Sequence, residues 1–119
     1  MANESSKRLP VEMLCLSLLR ERDMYCYEMV QEISARSGGQ LVLAEAALYM
    51  SMYKLQDKQY ISDRRETVGT LRPRTRVYYH LEPSGETYLD TLIEEYTRTA
   101  EGIRLFLDST LSKEEAACS

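Results

Sequence analysis

An arginine-rich stretch from Ile61 to Leu81 carries the side chains of this chain that are best suited to binding phosphate. It contains five of the fifteen lysine and arginine residues, namely Arg64, Arg65, Arg72, Arg74 and Arg76. Guanidinium groups concentrated on one short segment can neutralise the phosphates of a nucleic-acid backbone. The same arginines also fit a plainer interpretation, in which they only keep an exposed segment hydrated.

The residue pattern in this stretch predicts a two-stranded antiparallel hairpin with a basic tip. Val77, Tyr79 and Leu81 alternate with polar or basic side chains, so one face of the second strand is apolar. Gly69 and Pro73 separate the two halves, and these residue types are favoured in turns but not in strand interiors.

Three helices are predicted before the hairpin. The first begins near Leu9–Pro10, the second covers residues 24–36, and the third covers residues 44–58, with Leu41–Leu43 as a minimal strand between the last two. In the third helix the apolar spacing directs Leu48, Met52 and Leu55 towards the core.

The first helix has two apolar stripes. One stripe follows helical spacing through Val11, Leu14, Cys15, Leu18 and Leu19, and the other contains Leu9, Met13 and Leu16. A helix that is apolar on two sides must be covered on both, so we expect the second stripe to contact a further partner.

The last predicted helix has a coiled-coil pattern. Its apolar residues recur at alternating spacings of four and three: Leu89, Ile93, Tyr96, Ala100, Ile103 and Leu107. We infer a homodimer in which this seam meets the Leu9, Met13 and Leu16 stripe of the other subunit. The alternative is that the helix returns onto its own domain.

Length, charge and composition restrict the remaining possibilities. A chain of 119 residues fits one domain with an appended helix. Residues 1–81 carry 12 basic and 10 acidic side chains, whereas residues 82–119 carry 3 and 9, so the acidic part is separate from the basic hairpin. No apolar run approaches a membrane span and no signal peptide is evident, so we expect a cytoplasmic protein.

The pattern gives no support for an enzyme, a cofactor or a metal site. Cys15, Cys26 and Cys118 lack metal-ligand spacing, and Cys15 and Cys26 are expected to be small buried hydrophobic residues. His80 is the only histidine, and no phosphate-binding glycine loop or nucleophile motif is present.

The order of elements predicts an α+β fold that is mostly α: a winged helix-turn-helix with a long C-terminal dimerisation helix. The expected segments are a disordered N-terminus (1–8), the DNA-binding domain (9–82), the dimerisation helix (83–112) and a disordered tail (113–119). In such folds the third helix enters the major groove of double-stranded DNA, and the wing contacts the adjacent backbone or minor groove.

Four sequence blocks resemble the PadR family of bacterial transcriptional regulators. They are Tyr25–Met29, the recognition helix and its exit into the wing (Leu48–Tyr49, Tyr53–Leu55 and Gln59–Ile61), the basic run Arg74–Tyr79, and Leu81–Gly85. The resemblance covers residues 9–107 and is to the compact subgroup with one C-terminal helix. It implies a dimeric, ligand-responsive repressor that binds a near-palindromic operator, often in its own promoter.

The recognition helix departs from the family pattern. Where relatives have Ser or Pro, then Gly-Thr, and a later Pro, this chain has Ala44, Ala46, Ala47 and Met50. Ala44 cannot cap the helix, and the other three side chains offer base edges only apolar contacts, such as those with thymine methyl groups. We therefore expect phosphate contacts and DNA shape to carry more of the selectivity.

Candidate DNA contacts combine the resemblance with the exposed positions of the predicted elements. They are Tyr25, Ala46, Ala47, Tyr49, Met50, Tyr53, Lys54, Arg64, Arg72, Arg74 and Arg76. Arg64 and Arg65 lie on opposite faces of a strand, so at most one of them can face DNA.

A small-molecule effector is implied by the family, whose ligands are chemically diverse. Met13 and Tyr96 are the candidate contacts, and both also fit a plain subunit interface. Two other functional classes remain open: a winged-helix module that binds protein through its apolar recognition face, and a ligand-binding dimer without operator specificity.

Overall fold

The computed structural model describes the backbone of residues 9–118 and the side chains of residues 9–111. The elements are three helices, a hairpin and a long final helix: α1 (Val11–Glu21), α2 (Cys26–Arg36), α3 (Glu45–Asp57), β1 (Ile61–Val68), β2 (Arg74–Leu81) and α4 (Pro83–Cys118). This is the predicted mostly helical α+β fold, a winged helix followed by a long C-terminal helix. The predicted disordered segment 1–8 lies outside the described residues.

Helices α1, α2 and α3 enclose the core through the apolar side chains that their spacing predicts. In α3 the buried residues are Leu48, Met52 and Leu55, which recur every three or four positions and so share one side of the helix. Cys15 and Cys26 are also buried, as expected for small apolar side chains.

The segment Leu41–Leu43 is not a strand, contrary to the prediction. The backbone N–H of Leu41 donates to the Ser37 hydroxyl, and Val42 is exposed, so the segment leads into α3 without a strand partner. The hairpin pairs instead with Met24, in the α1–α2 loop, whose carbonyl accepts a 2.9 Å hydrogen bond from the Tyr79 N–H.

The hairpin has the predicted antiparallel pairing and turn. Its register runs from Ile61 opposite Leu81 to Val68 opposite Arg74. Gly69 has a φ of +92°, a left-handed conformation that side-chain-bearing residues rarely adopt, so glycine suits the start of this turn.

The first turns of α4 pack against the end of α3 and the start of β1. The Tyr60 and Tyr88 rings stack with their centroids 4.3 Å apart, and the Tyr88 hydroxyl donates to Glu12 at 2.8 Å. A Cβ placed on Gly85 would lie 2.1 Å from the Tyr60 carbonyl oxygen, so only glycine allows this approach.

This packing corrects two of the predicted dimer contacts. Leu16 and Leu89 are both fully buried within the single chain, so neither is available to a partner. The apolar patterns of α1 and α4 correctly identified Leu16 and Leu89 as residues that must be shielded from water. Both are shielded by the core of their own winged helix and not by a second subunit.

The structure divides into two compact units after Leu89, which we call the winged-helix unit and the C-terminal unit. The division falls within α4, seven residues beyond the predicted boundary, because the helix's first turns complete the core. The helix backbone also extends past the predicted end at residue 112 to Cys118, where the side chains lie outside the described part.

The C-terminal unit, considered alone, is a charged helix with exposed apolar side chains. Arg98 pairs with Glu94 at 2.9 Å, and Arg104 pairs with Glu101 and Asp108. Along residues 90–111 the predicted seam is exposed at Ile93, Tyr96, Ala100, Ile103 and Leu107. None of the described helices is both long and apolar enough to span a membrane.

Candidate nucleic-acid interface

The exposed side of α3 is the apolar surface that the sequence predicts. Met50 and Tyr53 are 61% and 70% exposed, and Ala46 and Lys54 are exposed beside them, whereas Ala47 is half-buried. Ala44 precedes the helix and provides no side-chain cap. Lys54 and the Tyr53 hydroxyl are therefore the main polar groups that this surface offers to DNA.

Tyr49 is less accessible than Tyr53, with 41% of the residue exposed, and burial raises the pKa of its hydroxyl. Burial likewise raises the pKa of Tyr79 on β2. Burial raises the pKa of Cys26 to about 11 and that of Cys15 to about 12, so both thiols stay protonated at neutral pH.

The arginines of the hairpin differ in whether they form salt bridges. Among the described residues, Arg65, Arg72 and Arg74 are exposed and form no salt bridge. Arg72 and Arg74 lie at the tip, where two unneutralised guanidinium groups suit a polyanion.

Two arginines and two tyrosines form a continuous stack on one face of the hairpin. The Arg76 guanidinium lies 4.4 Å from the centre of the Tyr25 ring, Tyr25 meets Tyr78 edge to face at 5.4 Å, and Arg64 lies 5.1 Å from the centre of the Tyr78 ring. We call these four residues the arginine–tyrosine stack. For Arg76, stacking occupies the flat face of the guanidinium and leaves its in-plane N–H groups able to bind phosphate.

Arg64, one of the predicted DNA contacts, is held by two carboxylates. Its Nη1 donates to Asp23, and its Nε donates to Glu66 at 2.8 Å. These hydrogen bonds, of which the one to Glu66 has the larger effect and the one to Asp23 the smaller, raise the pKa of Arg64. The DNA contact of Arg64 stays a prediction; in the single chain Arg64 is neutralised and joins the hairpin to the α1–α2 loop.

Asp23 connects this arginine to the only histidine. Its second carboxylate oxygen lies 2.8 Å from His80 Nδ1, so one side chain holds both strands of the hairpin. Partial burial raises the pKa of Asp23, but hydrogen bonds from His80 and Arg64 outweigh it and the net pKa is lowered. Sequence reasoning missed Asp23 because 41 and 57 residues separate it from its two partners.

The candidate effector residues lie in different units. Met13, on α1, is half-buried in the winged-helix unit, and Tyr96 is exposed on the C-terminal unit. A cavity of about 250 Å³ opens beside α1 in the winged-helix unit. It is lined by Leu14, Ser17, Leu18, Glu21, Ile33, Arg36, Ser37 and Leu41, and Met13 is not among them.

Comparison with known proteins places the chain in a family. Residues 15–91, which include α2, α3 and the whole hairpin, match the family described as "Transcriptional regulator PadR-like family". The chain belongs to the PadR family of transcriptional regulators. Membership agrees with the resemblance carried by the Tyr25–Met29 and Arg74–Tyr79 blocks.

Individual proteins share sequence or fold with this chain. An uncharacterised protein of Lysinibacillus sphaericus is 33% identical over 98 residues, covering 82% of this chain and 88% of the relative. A transcriptional regulator from Clostridium thermocellum is 31% identical, with a TM-score of 0.71 over 81% of this chain and 88% of that one.

A more distant solved structure shows the fold in a DNA complex. Bacillus subtilis PadR, solved with operator DNA, is 23% identical, with a TM-score of 0.63 over 71% of this chain and 46% of that protein. At this identity the similarity demonstrates a shared fold.

Proposed function

We propose that this PadR-family regulator is a cytoplasmic repressor that binds a near-palindromic DNA operator as a homodimer. The α3 surface would enter the major groove, and the hairpin would act as the wing that contacts the flanking backbone. The observation that carries the proposal is the state of the arginines. Arg72 and Arg74 form no salt bridge with the described residues at the wing tip, whereas Arg64, Arg98 and Arg104 are neutralised by carboxylates.

The structure of α3 supports a proposal in which α3 and the wing make different kinds of contact with DNA. Ala46 and Met50 have no hydrogen-bonding groups, so their contribution to base readout is limited to apolar contact with thymine methyl groups. Phosphate contacts from Arg72, Arg74 and Arg76 and sequence-dependent DNA shape would then supply much of the affinity and selectivity.

The binding experiment is fluorescence anisotropy with duplex DNA from upstream of the protein's own gene, titrated across salt against a scrambled duplex. We expect the upstream duplex to bind more tightly, and binding to both duplexes to weaken as salt rises. Equal and weak binding to the two duplexes would contradict the operator-binding proposal.

Arginine substitutions test the role of the wing. Arg74→Gln should weaken binding to both duplexes alike and reduce the slope of log affinity against log salt by about 1, because one phosphate contact is lost. Arg98→Gln, the same change at an arginine paired with Glu94, should leave the slope unchanged. A changed sequence preference in Arg74→Gln would contradict a phosphate-binding role.

The homodimer proposal is supported by two apolar surfaces, one on each unit. The seam of the C-terminal unit is exposed from Ile93 to Leu107, and in the winged-helix unit the cavity beside α1 has walls formed by Leu14, Leu18, Ile33 and Leu41. Leu9 and Met13, at the start of α1, remain half-buried in the single chain. We propose that the seam pairs with α1 of a second copy, whose Leu9 and Met13 it covers.

We also propose that a small-molecule effector binds the protein. We propose that Met13 and Tyr96 line an effector site at the interface between subunits, so a ligand there would alter the dimer that presents α3 to DNA. Addition of aromatic acids and planar drugs to the protein–DNA complex in the anisotropy assay would detect an effector as a loss of anisotropy.

Protein binding is the second candidate function, because Met50 and Tyr53 give α3 an exposed apolar surface. Contact with a protein through this surface should change little with salt, whereas DNA binding should weaken steeply. The salt titration therefore separates the two functions.

A further inference from the structure

Leu71 is an apolar residue at the tip of the wing with almost no contact with its own chain. It is 95% exposed, more than Met50, Tyr53 or any other exposed large apolar residue of the described chain. A leucine at this position contributes nothing to the core, so its apolar side chain is available to a partner.

The turn that carries Leu71 is locally constrained. Gly69 begins it with a φ of +92°, and a Cβ at Gly69 would lie 3.0 Å from the Arg72 carbonyl oxygen, so the chain folds tightly here. Pro73 limits the backbone before β2 begins at Arg74. Leu71 therefore protrudes from a short, restrained turn.

The charges around Leu71 indicate the chemistry of the partner. Arg72 and Arg74 are exposed and form no salt bridge with the described residues. A partner that suits this tip offers negative charge next to a narrow apolar recess. The minor groove of DNA meets this requirement, because two rows of phosphates border a groove whose walls are deoxyribose rings.

We propose that Leu71 inserts into the minor groove of DNA as an apolar wedge, while Arg72 and Arg74 bind phosphates that border the groove. This inference rests on the proposed DNA-binding function and adds a residue that determines specificity. An apolar side chain in this groove favours steps that unstack easily, such as TA, and is obstructed by the guanine 2-amino group on the groove floor. Leu71 would thus supply a sequence preference that the hydrogen-bond-poor α3 surface lacks.

The test begins with duplexes selected from a randomised pool by the wild-type protein, and hydroxyl-radical footprinting then locates the minor-groove position protected by the wing. At that position the A·T pair is replaced by I·C or by G·C. The I·C pair keeps the minor-groove pattern of A·T but presents the major-groove pattern of G·C, whereas G·C adds the amino group to the minor groove.

We expect the wild type to bind the A·T and I·C duplexes equally and the G·C duplex about tenfold more weakly. Leu71→Ala should lose about tenfold on the first two duplexes and should no longer distinguish G·C from them. Thr70→Ala, a neighbouring exposed change, should behave like the wild type, and the melting temperature of every variant should be unchanged because both residues are exposed.

Two results would overturn the wedge while leaving DNA binding intact: Leu71→Ala binding every duplex as the wild type does, or losing affinity while still rejecting G·C. The first result would indicate that Leu71 binds an apolar pocket of a protein and not DNA. If the wild type selected no duplex and showed no salt-dependent binding, the proposed function itself would be wrong and the wedge with it.

Discussion

At the scale of single residues, the arginines of the wing differ in what surrounds them more than in where they occur in the sequence. Arg64 is neutralised by Asp23 and Glu66, Arg76 stacks on Tyr25, and Arg74 is free of salt bridges in the described chain. A cation already bound to carboxylates gains less from a phosphate than an unpaired one does, because it must first give up its partners. Because Arg64 is already neutralised by carboxylates, the unpaired arginines at the tip should supply most of the wing's affinity for phosphate.

Asp23 should give the winged-helix unit an acid-sensitive contribution to stability. The pKa of Asp23 in the folded protein is below its ordinary value of 3.8, so the contribution is fully present above that value. It is lost as the pH falls through the folded-state pKa. We expect Asp23→Asn to lower the free energy of unfolding by about 1 kcal/mol at neutral pH.

Urea unfolding monitored by circular dichroism between neutral pH and about pH 3 measures this contribution. The difference between Asp23→Asn and the wild type should shrink towards the acid end, because protonation removes the same charge from the wild type. Asp63→Asn changes an exposed aspartate that forms no salt bridge with the described residues, and serves as the control. A difference that does not depend on pH would show that the ion pairs of Asp23 contribute nothing.

At the scale of elements, the local periodicity of apolar residues predicted the helices and the hairpin and their order along the chain. Three helices, a hairpin and a final helix follow from spacings of 3.6 and 2 residues, and these patterns need no knowledge of distant contacts. Leu16 and Leu89 were predicted to contact a second subunit, but both are buried within their own chain. An apolar pattern indicates that a face needs cover, but it does not identify the element that covers it.

Contacts between distant residues explain most of what the sequence did not predict. Asp23 meets Arg64 and His80 only after the hairpin has folded against the α1–α2 loop. The Leu41–Leu43 segment is β-prone in composition, yet its backbone bonds to Ser37 and the edge position of the sheet is taken by Met24. In both places tertiary structure overrides local preference.

Gly85 provides a test of how the first turns of α4 are attached. We expect Gly85→Ala to destabilise the protein by at least about 3 kcal/mol, because the new Cβ would overlap a backbone oxygen that cannot move without β1. Thermal unfolding monitored by circular dichroism measures the effect.

The matched control for this substitution is Gly102→Ala in the same helix. At 100° per residue Gly102 lies on the side of α4 away from the seam, and no atom lies within 4 Å of the position that its new methyl group would take. The change should therefore stabilise the helix by about 1 kcal/mol. Equal stability of the Gly85→Ala variant and the wild type would show that the α4 start is not held against Tyr60.

At the scale of the whole molecule, the chain combines a basic hairpin in one unit with an acidic helix in the other. Residues 90–119, which form the C-terminal unit, carry 7 acidic and 3 basic side chains, so this unit is poorly suited to contact with DNA. Its exposed apolar seam is instead suited to another copy of the chain, and a dimer would present two wings to one operator.

Ile103→Glu tests the dimer directly. A glutamate in the middle of the seam would place two buried charges at the interface, so sedimentation velocity should show a shift towards 13.8 kDa, the mass of a single chain. Ser109→Glu introduces the same charge on the other side of the helix and should leave the dimer intact. A wild-type protein that sediments as a monomer at micromolar concentration would contradict the proposal.

The burial of Leu89 also has a consequence for how the protein is made. A domain folds as a unit during synthesis only when all the residues that close its core have left the ribosome. Among the described residues the last such residue is Leu89, inside the final helix. The winged-helix unit should therefore complete its folding only after the start of the final helix has left the ribosome, and a fragment ending at Glu82 would lack part of its own core.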